Sequence, residues 1–140
     1  MYWQLDPEVP GELGSDASLD FSTHPPIVRK LHIEFMCWVG SDLCQAFPVY
    51  FVTTRLREAI EHRALTGCAF REMQQTKSID FEIVYHEIQL LQFHWLDVVG
   101  NAGKDDFGLA PVSKLIVSQQ ALGLLQSFKL SFCGIVEWPR

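Results

Sequence analysis

The sequence predicts an α+β fold: a mixed β-sheet with two strand–helix–strand units whose helices pack on one face. Three observations carry this. Several short runs alternate or are rich in β-branched and aromatic residues, two stretches repeat apolar residues at helical spacing behind a hydroxyl residue, and residues 48–73 align with residues 113–138. At 140 residues, 48% hydrophobic and 20% charged, the chain reads as one domain spanning 1–140. Such a composition excludes disorder.

The elements follow in chain order. Residues 1–28 read as an irregular acidic arm, because Pro7, Pro10, Gly11, Gly14, Pro25 and Pro26 interrupt regular structure. A short strand is expected at residues 2–5. Residues 31–38 alternate, with Leu31, Ile33, Phe35 and Cys37 on one face of a strand. Residues 48–52 are a β-branched and aromatic run ending at Thr53 and Thr54, either of which suits a helix N-cap. Leu56, Ala59 and Ile60 then recur at helical spacing, Arg57 and Glu61 form an i,i+4 pair, and Gly67 suits a left-handed backbone that closes the helix. Residues 68–73 return as a strand.

Alternation of Ile79, Phe81 and Ile83 predicts a further strand, and residues 88–99 another. The glycine- and aspartate-rich stretch 100–108 is a loop. Residues 115–118 open the second strand and helix, whose Ala121, Leu122, Leu124, Leu125 and Phe128 make it the more deeply buried of the two. Aligned without a gap, the two units pair Thr53 with Ser118, 65 positions on, then Leu65 with Leu130 and Cys68 with Cys133.

The net charge of −6 is uneven: Asp6, Glu8, Glu12, Asp16 and Asp20 all precede the first basic residue, Arg29. An acidic surface repels phosphate backbones and suits a basic protein partner. Cys37, Cys44, Cys68 and Cys133 lack zinc-ligand spacing and read as small buried hydrophobes. With no signal-peptide pattern and no apolar run long enough for a bilayer, the expected location is the cytoplasm.

No catalytic motif, metal site or cofactor fingerprint is evident. His86, Glu87, His94 and Asp97 are the residues that would serve a small-molecule-binding or enzymatic domain, were they to share a closed pocket. For a partner-binding surface the candidates are Asp105, Asp106 and Phe107 in the loop between the units, Trp38 and Trp138 at strand ends, and Asp16 and Asp20 in the arm.

The run Phe51-Val-Thr-Thr-Arg-Leu-Arg-Glu-Ala-Ile, followed by Leu65-Thr-Gly-Cys-Ala-Phe, resembles a pattern in bacterial immunity proteins of polymorphic toxin systems. Asp106-Phe-Gly-Leu, with Leu115-Ile-Val-Ser-Gln-Gln-Ala-Leu-Gly-Leu-Leu after it, is similar to the same family. The resemblance spans residues 31–138; the second unit departs from the first in having Phe132 where Gly67 stands. It implies a small, non-enzymatic cytosolic protein that occludes the active site of a cognate toxin. A basic nuclease or deaminase domain would match the acidic charge. The family carries over no uniform catalytic residue, and neither nucleic acid nor membrane is an expected partner.

Overall fold

The computed structural model describes residues 1–139. In chain order these form β1 (Tyr2–Asp6), β2 (Gly11–Leu13), β3 (Ser18–Asp20), β4 (Ile27–Lys30), β5 (His32–Phe35), β6 (Leu43–Ala46), β7 (Val49–Thr53) and α1 (Thr54–His62). Then come β8 (Cys68–Arg71), β9 (Gln74–Lys77), α2 (Ile79–Val84), β10 (Phe93–Val98), β11 (Phe107–Ala110), β12 (Lys114–Ser118), α3 (Gln119–Gln126) and β13 (Gly134–Glu137). The fold is α+β. Its strands form four sheets, however, not the one mixed sheet expected.

Two of the sheets have four strands, in the orders β6-β7-β10-β8 and β11-β12-β1-β13, with every neighbour antiparallel. The strands flanking each helix therefore run parallel without pairing: β10 lies between β7 and β8, and β1 lies between β12 and β13. A third sheet, β2-β5-β9, joins β5 and β9 in parallel, and β3 pairs with β4.

The two large sheets match in register as well as in order. Val52 faces His94 and Leu96 faces Phe70; in the other sheet Val117 faces Trp3 and Leu5 faces Ile135. Val52 to Val117 and Phe70 to Ile135 both keep the spacing of the sequence alignment, while β1 takes the place of β10. The helix starts correspond too. His94 Nε2 hydrogen-bonds with Thr54 Oγ1 at 2.8 Å, and at the equivalent positions Trp3 Nε1 donates to Gln119 Oε1 at 2.9 Å.

The β6-β7-β10-β8 sheet is buried on both faces, which is why β7 has no exposed residue and reads as a continuous apolar run. Tyr50, Val52 and Leu96 enter one core with Leu56 and Ile60 of α1, Leu122 and Leu125 of α3, and Leu115 and Val117 of β12. Phe51, Phe93 and Trp95 enter a second core with Leu31, Ile33, Phe35 and Phe81. Phe93 is the hub of that core: its ring lies 5.1 Å from Phe35, 5.5 Å from Phe51 and 5.7 Å from Trp38, the last two edge-on.

Several local expectations are revised. The arm is not irregular throughout, since β1, β2, β3 and β4 all draw on it or border it. Gly11 permits this, because a Cβ there would lie 2.0 Å from the Glu34 carbonyl oxygen across the β2–β5 pairing. Residues 79–84 are a helix and not a strand: Ser78 caps it by accepting from Phe81 N, and Asp80 and Glu82 favour its N-terminal end. Of the three alternating residues only Phe81 is buried, whereas Ile79 and Ile83 are 74% and 67% exposed. Gly67 is left-handed as expected, but the first left-handed residue after α1 is Ala64. Among the cysteines only Cys44 is fully buried.

Gly123 sits inside α3 with nothing within 4 Å of where its Cβ would be. Gly123→Ala is therefore expected to raise the unfolding free energy by about 1 kcal/mol, from backbone entropy alone. Urea denaturation of the two proteins checks this.

Candidate functional site

The ionisable groups that look available in the sequence are largely used inside the molecule. Asp42, just before β6, has a side chain only 1% exposed. Its Oδ1 accepts from Thr53 Oγ1 at 2.5 Å and Arg55 Nε at 2.6 Å, and its Oδ2 from Arg55 Nη2 at 3.2 Å and the Lys129 backbone N–H at 2.9 Å. Burial by itself would raise this carboxyl, but the donors from Arg55, Thr53 and Lys129 outweigh it and hold it below the usual carboxylate range. Thr53 occupies the N-cap of α1 yet makes no side-chain cap bond, its hydroxyl being given to Asp42.

Asp106, just before β11, repeats the arrangement. Its Oδ1 accepts from Ser118 Oγ at 2.6 Å, and its Oδ2 from the Thr66 N–H at 2.9 Å and Thr66 Oγ1 at 3.2 Å. Burial again pushes upward, and Ser118 and Thr66 again outweigh it, so Asp106 also lies below the usual range. The latches are reciprocal. Asp42, ahead of the first unit, holds the segment after α3, and Asp106, ahead of the second, holds the segment after α1.

The candidate residues meet different fates. Asp106 is thus a structural latch and not a free contact. Asp105 accepts from Asn101 N at 2.7 Å and closes its own loop. Phe107 is fully buried in the first core, and Trp38, 7% exposed, lies in the second with its Nε1 donating to the Ser41 carbonyl. Neither can meet a partner. Trp138 is half-buried, held by its N–H to the Tyr2 carbonyl at 2.9 Å.

His86, Glu87, His94 and Asp97 do not converge. His94 is buried beneath α1 between Thr54 and Arg57, Asp97 pairs with Arg71 at 3.7 Å, and His86 and Glu87 are exposed. Asp97 borders a cleft of about 420 Å³ whose wall includes Trp95, with the Arg71 guanidinium 4.3 Å from the indole centroid. The other three do not line it. Among the described residues no group of three or more His, Cys, Asp or Glu could hold a metal ion. Burial pushes the Cys68 thiol up to about 12 and the Cys133 thiol to about 11, away from nucleophilic use.

What the arm does offer is an apolar groove of about 480 Å³, walled by Leu13, Leu19, Phe21, Pro26, Phe47 and Pro48. Phe21 is 77% and Phe47 51% exposed, and the His24 ring lies 6.2 Å from that of Phe47. The arm is fixed by His32, which accepts from Asp16 N through Nδ1 at 3.0 Å and meets Thr76 Oγ1 at 2.8 Å through Nε2. A Cβ on Gly14 would fall 2.2 Å from that imidazole, so only glycine fits there. Asp16 accepts from Gln74 Nε2, and Asp20 accepts from Ser22 N and pairs with Arg29 at 3.0 Å. These bonds, that of Ser22 foremost, hold Asp20 below the usual range. Sequence reasoning missed Phe21 and Phe47, each of which stands outside any alternating or helical run.

Neither family models, nor curated proteins, nor solved structures give a match to this chain.

In Asp42→Asn, whichever way the amide is turned, an NH2 donor replaces one accepting oxygen and faces other donors, which is expected to cost about 2–3 kcal/mol at pH 7. Both latch carboxyls are depressed in the folded chain. Their stabilisation is therefore complete above the unfolded value near pH 4 and is lost as pH falls through the lower folded values. Denaturant titrations at neutral and acidic pH should show the gap between parent and variant narrowing in acid.

Proposed function

We propose that this chain is a non-enzymatic immunity protein that binds a bacterial toxin domain in the cytoplasm and covers its active site. The observation that carries the reading is the groove of the arm. Two phenylalanines at a solvent-facing groove form an anchor-and-pocket arrangement of the kind that dominates protein interfaces. Scattered exposed apolar residues need no explanation, but a contiguous apolar groove rimmed by polar residues does. The resemblance of residues 31–138 to immunity proteins supplies the class of partner, and the net charge of −6 favours a basic one, such as a nuclease or deaminase domain. Among the described residues no helix is long and apolar enough to cross a membrane.

The test is neutralisation. The toxin domain encoded beside this chain should arrest growth when produced alone, and coproduction with the chain should restore it. Phe21→Ser combined with Phe47→Ser is expected to weaken toxin binding at least about tenfold, since truncation of anchor residues costs 2 kcal/mol or more. Both side chains are exposed, so thermal unfolding should be unchanged. An unaltered affinity in titration calorimetry would remove the groove from the interface.

A further inference from the structure

A second surface stands apart from the groove. In α2 and the turn after it, Phe81 alone is buried, while Ile79, Ile83 and Val84 are 74%, 67% and 62% exposed. Ile79 and Ile83 are one helical turn apart and share a face. Asp80 and Glu82 are interleaved with these residues, Glu87 follows in the turn, and all three are exposed. Among the described residues the ion pairs engage Asp20, Asp42, Glu61 and Asp97, and none engages these three carboxylates. Asp80 and Glu82 serve the N-terminal end of the short helix. That role accounts for two charges but not for Glu87 or for two exposed isoleucines sharing one helical face.

The segment is held firmly. Ser78 caps it and donates its own N–H to the Phe35 carbonyl, and the Lys77 ammonium lies 5.4 Å from the Phe81 ring. Phe81 in turn is packed into the second core. An apolar patch on such a mount, with three carboxylates beside it that none of these ion pairs engages, is complementary to an apolar patch flanked by Lys or Arg. We infer that residues 79–87 form a docking surface for a basic protein partner, distinct from the groove at Phe21 and Phe47. Apolar contact supplies its affinity, and the carboxylates select against acidic surfaces.

Isotope-labelled full-length chain titrated with a synthetic amphipathic helix, leucines on one face flanked by lysines, tests this by amide chemical shifts. A peptide with glutamates in place of the lysines is the control. The lysine peptide should perturb residues 79–87 and bind at least about ten times more tightly than the glutamate peptide. Ile79→Ser with Ile83→Ser, and separately Asp80→Asn with Glu82→Gln and Glu87→Gln, should each weaken it about tenfold or more, with melting temperatures showing that the variants fold. Phe21→Ser with Phe47→Ser should leave it unchanged, which separates this surface from the groove. Shifts centred elsewhere, equal binding of the two peptides, undiminished binding by the α2 variants, or occupation of the surface by a second copy of the chain would overturn the inference.

Discussion

A buried carboxylate with four donors organises this molecule. Asp42 ties the base of the β6–β7 hairpin to the start of α1 through Thr53 and Arg55, and ties both to the chain that leaves α3 through the Lys129 N–H. Its counterpart Asp106 binds the other unit in return. The segment that leaves each helix therefore depends on a carboxylate outside its own strand–helix–strand unit, Lys129 giving Asp42 one bond and Thr66 giving Asp106 two. Loss of a single partner would leave a buried charge or a buried donor unsatisfied, which is costlier than the net worth of the bond itself. The guanidinium of Arg55 remains half-exposed, yet it gives two of the four bonds and outweighs Thr53 and the Lys129 N–H in holding Asp42 ionised.

This arrangement consumes polar groups that a catalytic reading would claim. The hydroxyls of Thr53 and Ser118, the carboxylates of Asp42 and Asp106, and the imidazoles of His32 and His94 all have structural partners. Meanwhile the sheet containing β7 buries both faces, so most large apolar residues disappear into two cores. Of the apolar residues left outside, Phe21 stands on the arm and Ile79, Ile83 and Val84 on α2, while others, Phe132 and Val99 among them, lie elsewhere on the surface. A scaffold stiffened by reciprocal latches with apolar side chains on its rim fits a protein whose work is binding, because preorganised surfaces lose little entropy on association.

Much of the internal symmetry is legible in the sequence. The spacing that pairs Thr53 with Ser118 also relates Phe70 to Ile135 in the sheets, and a shared strand–cap–helix solution reached independently would not fix register across two further strands. The latch was hidden by one residue. The β11–β12 hairpin closes from Ala110 to Lys114, whereas β6–β7 closes from Ala46 to Val49, so Asp42 and Asp106 fall out of any ungapped alignment. The additional residue is accommodated by Val112 and Ser113, both at positive φ. That β1 completes the second sheet was equally invisible, since strand order is a long-range property. Alternation misled at Ile79, Phe81 and Ile83, where a serine cap and two acids decide for helix. Phe107 and Trp38 suggested contact by lying in a loop and at a strand end, but burial depends on the sheet that packs over them.

The most direct measurement is hydrogen exchange on the chain free and mixed with the toxin domain proposed as its partner. Slowed exchange is expected at residues 17–27 and 46–49 on binding, with the amides of Thr66 and Lys129 already protected in both states by the latches. Protection confined to other surfaces, or rapid exchange at Thr66 and Lys129 in the free chain, would contradict this expectation.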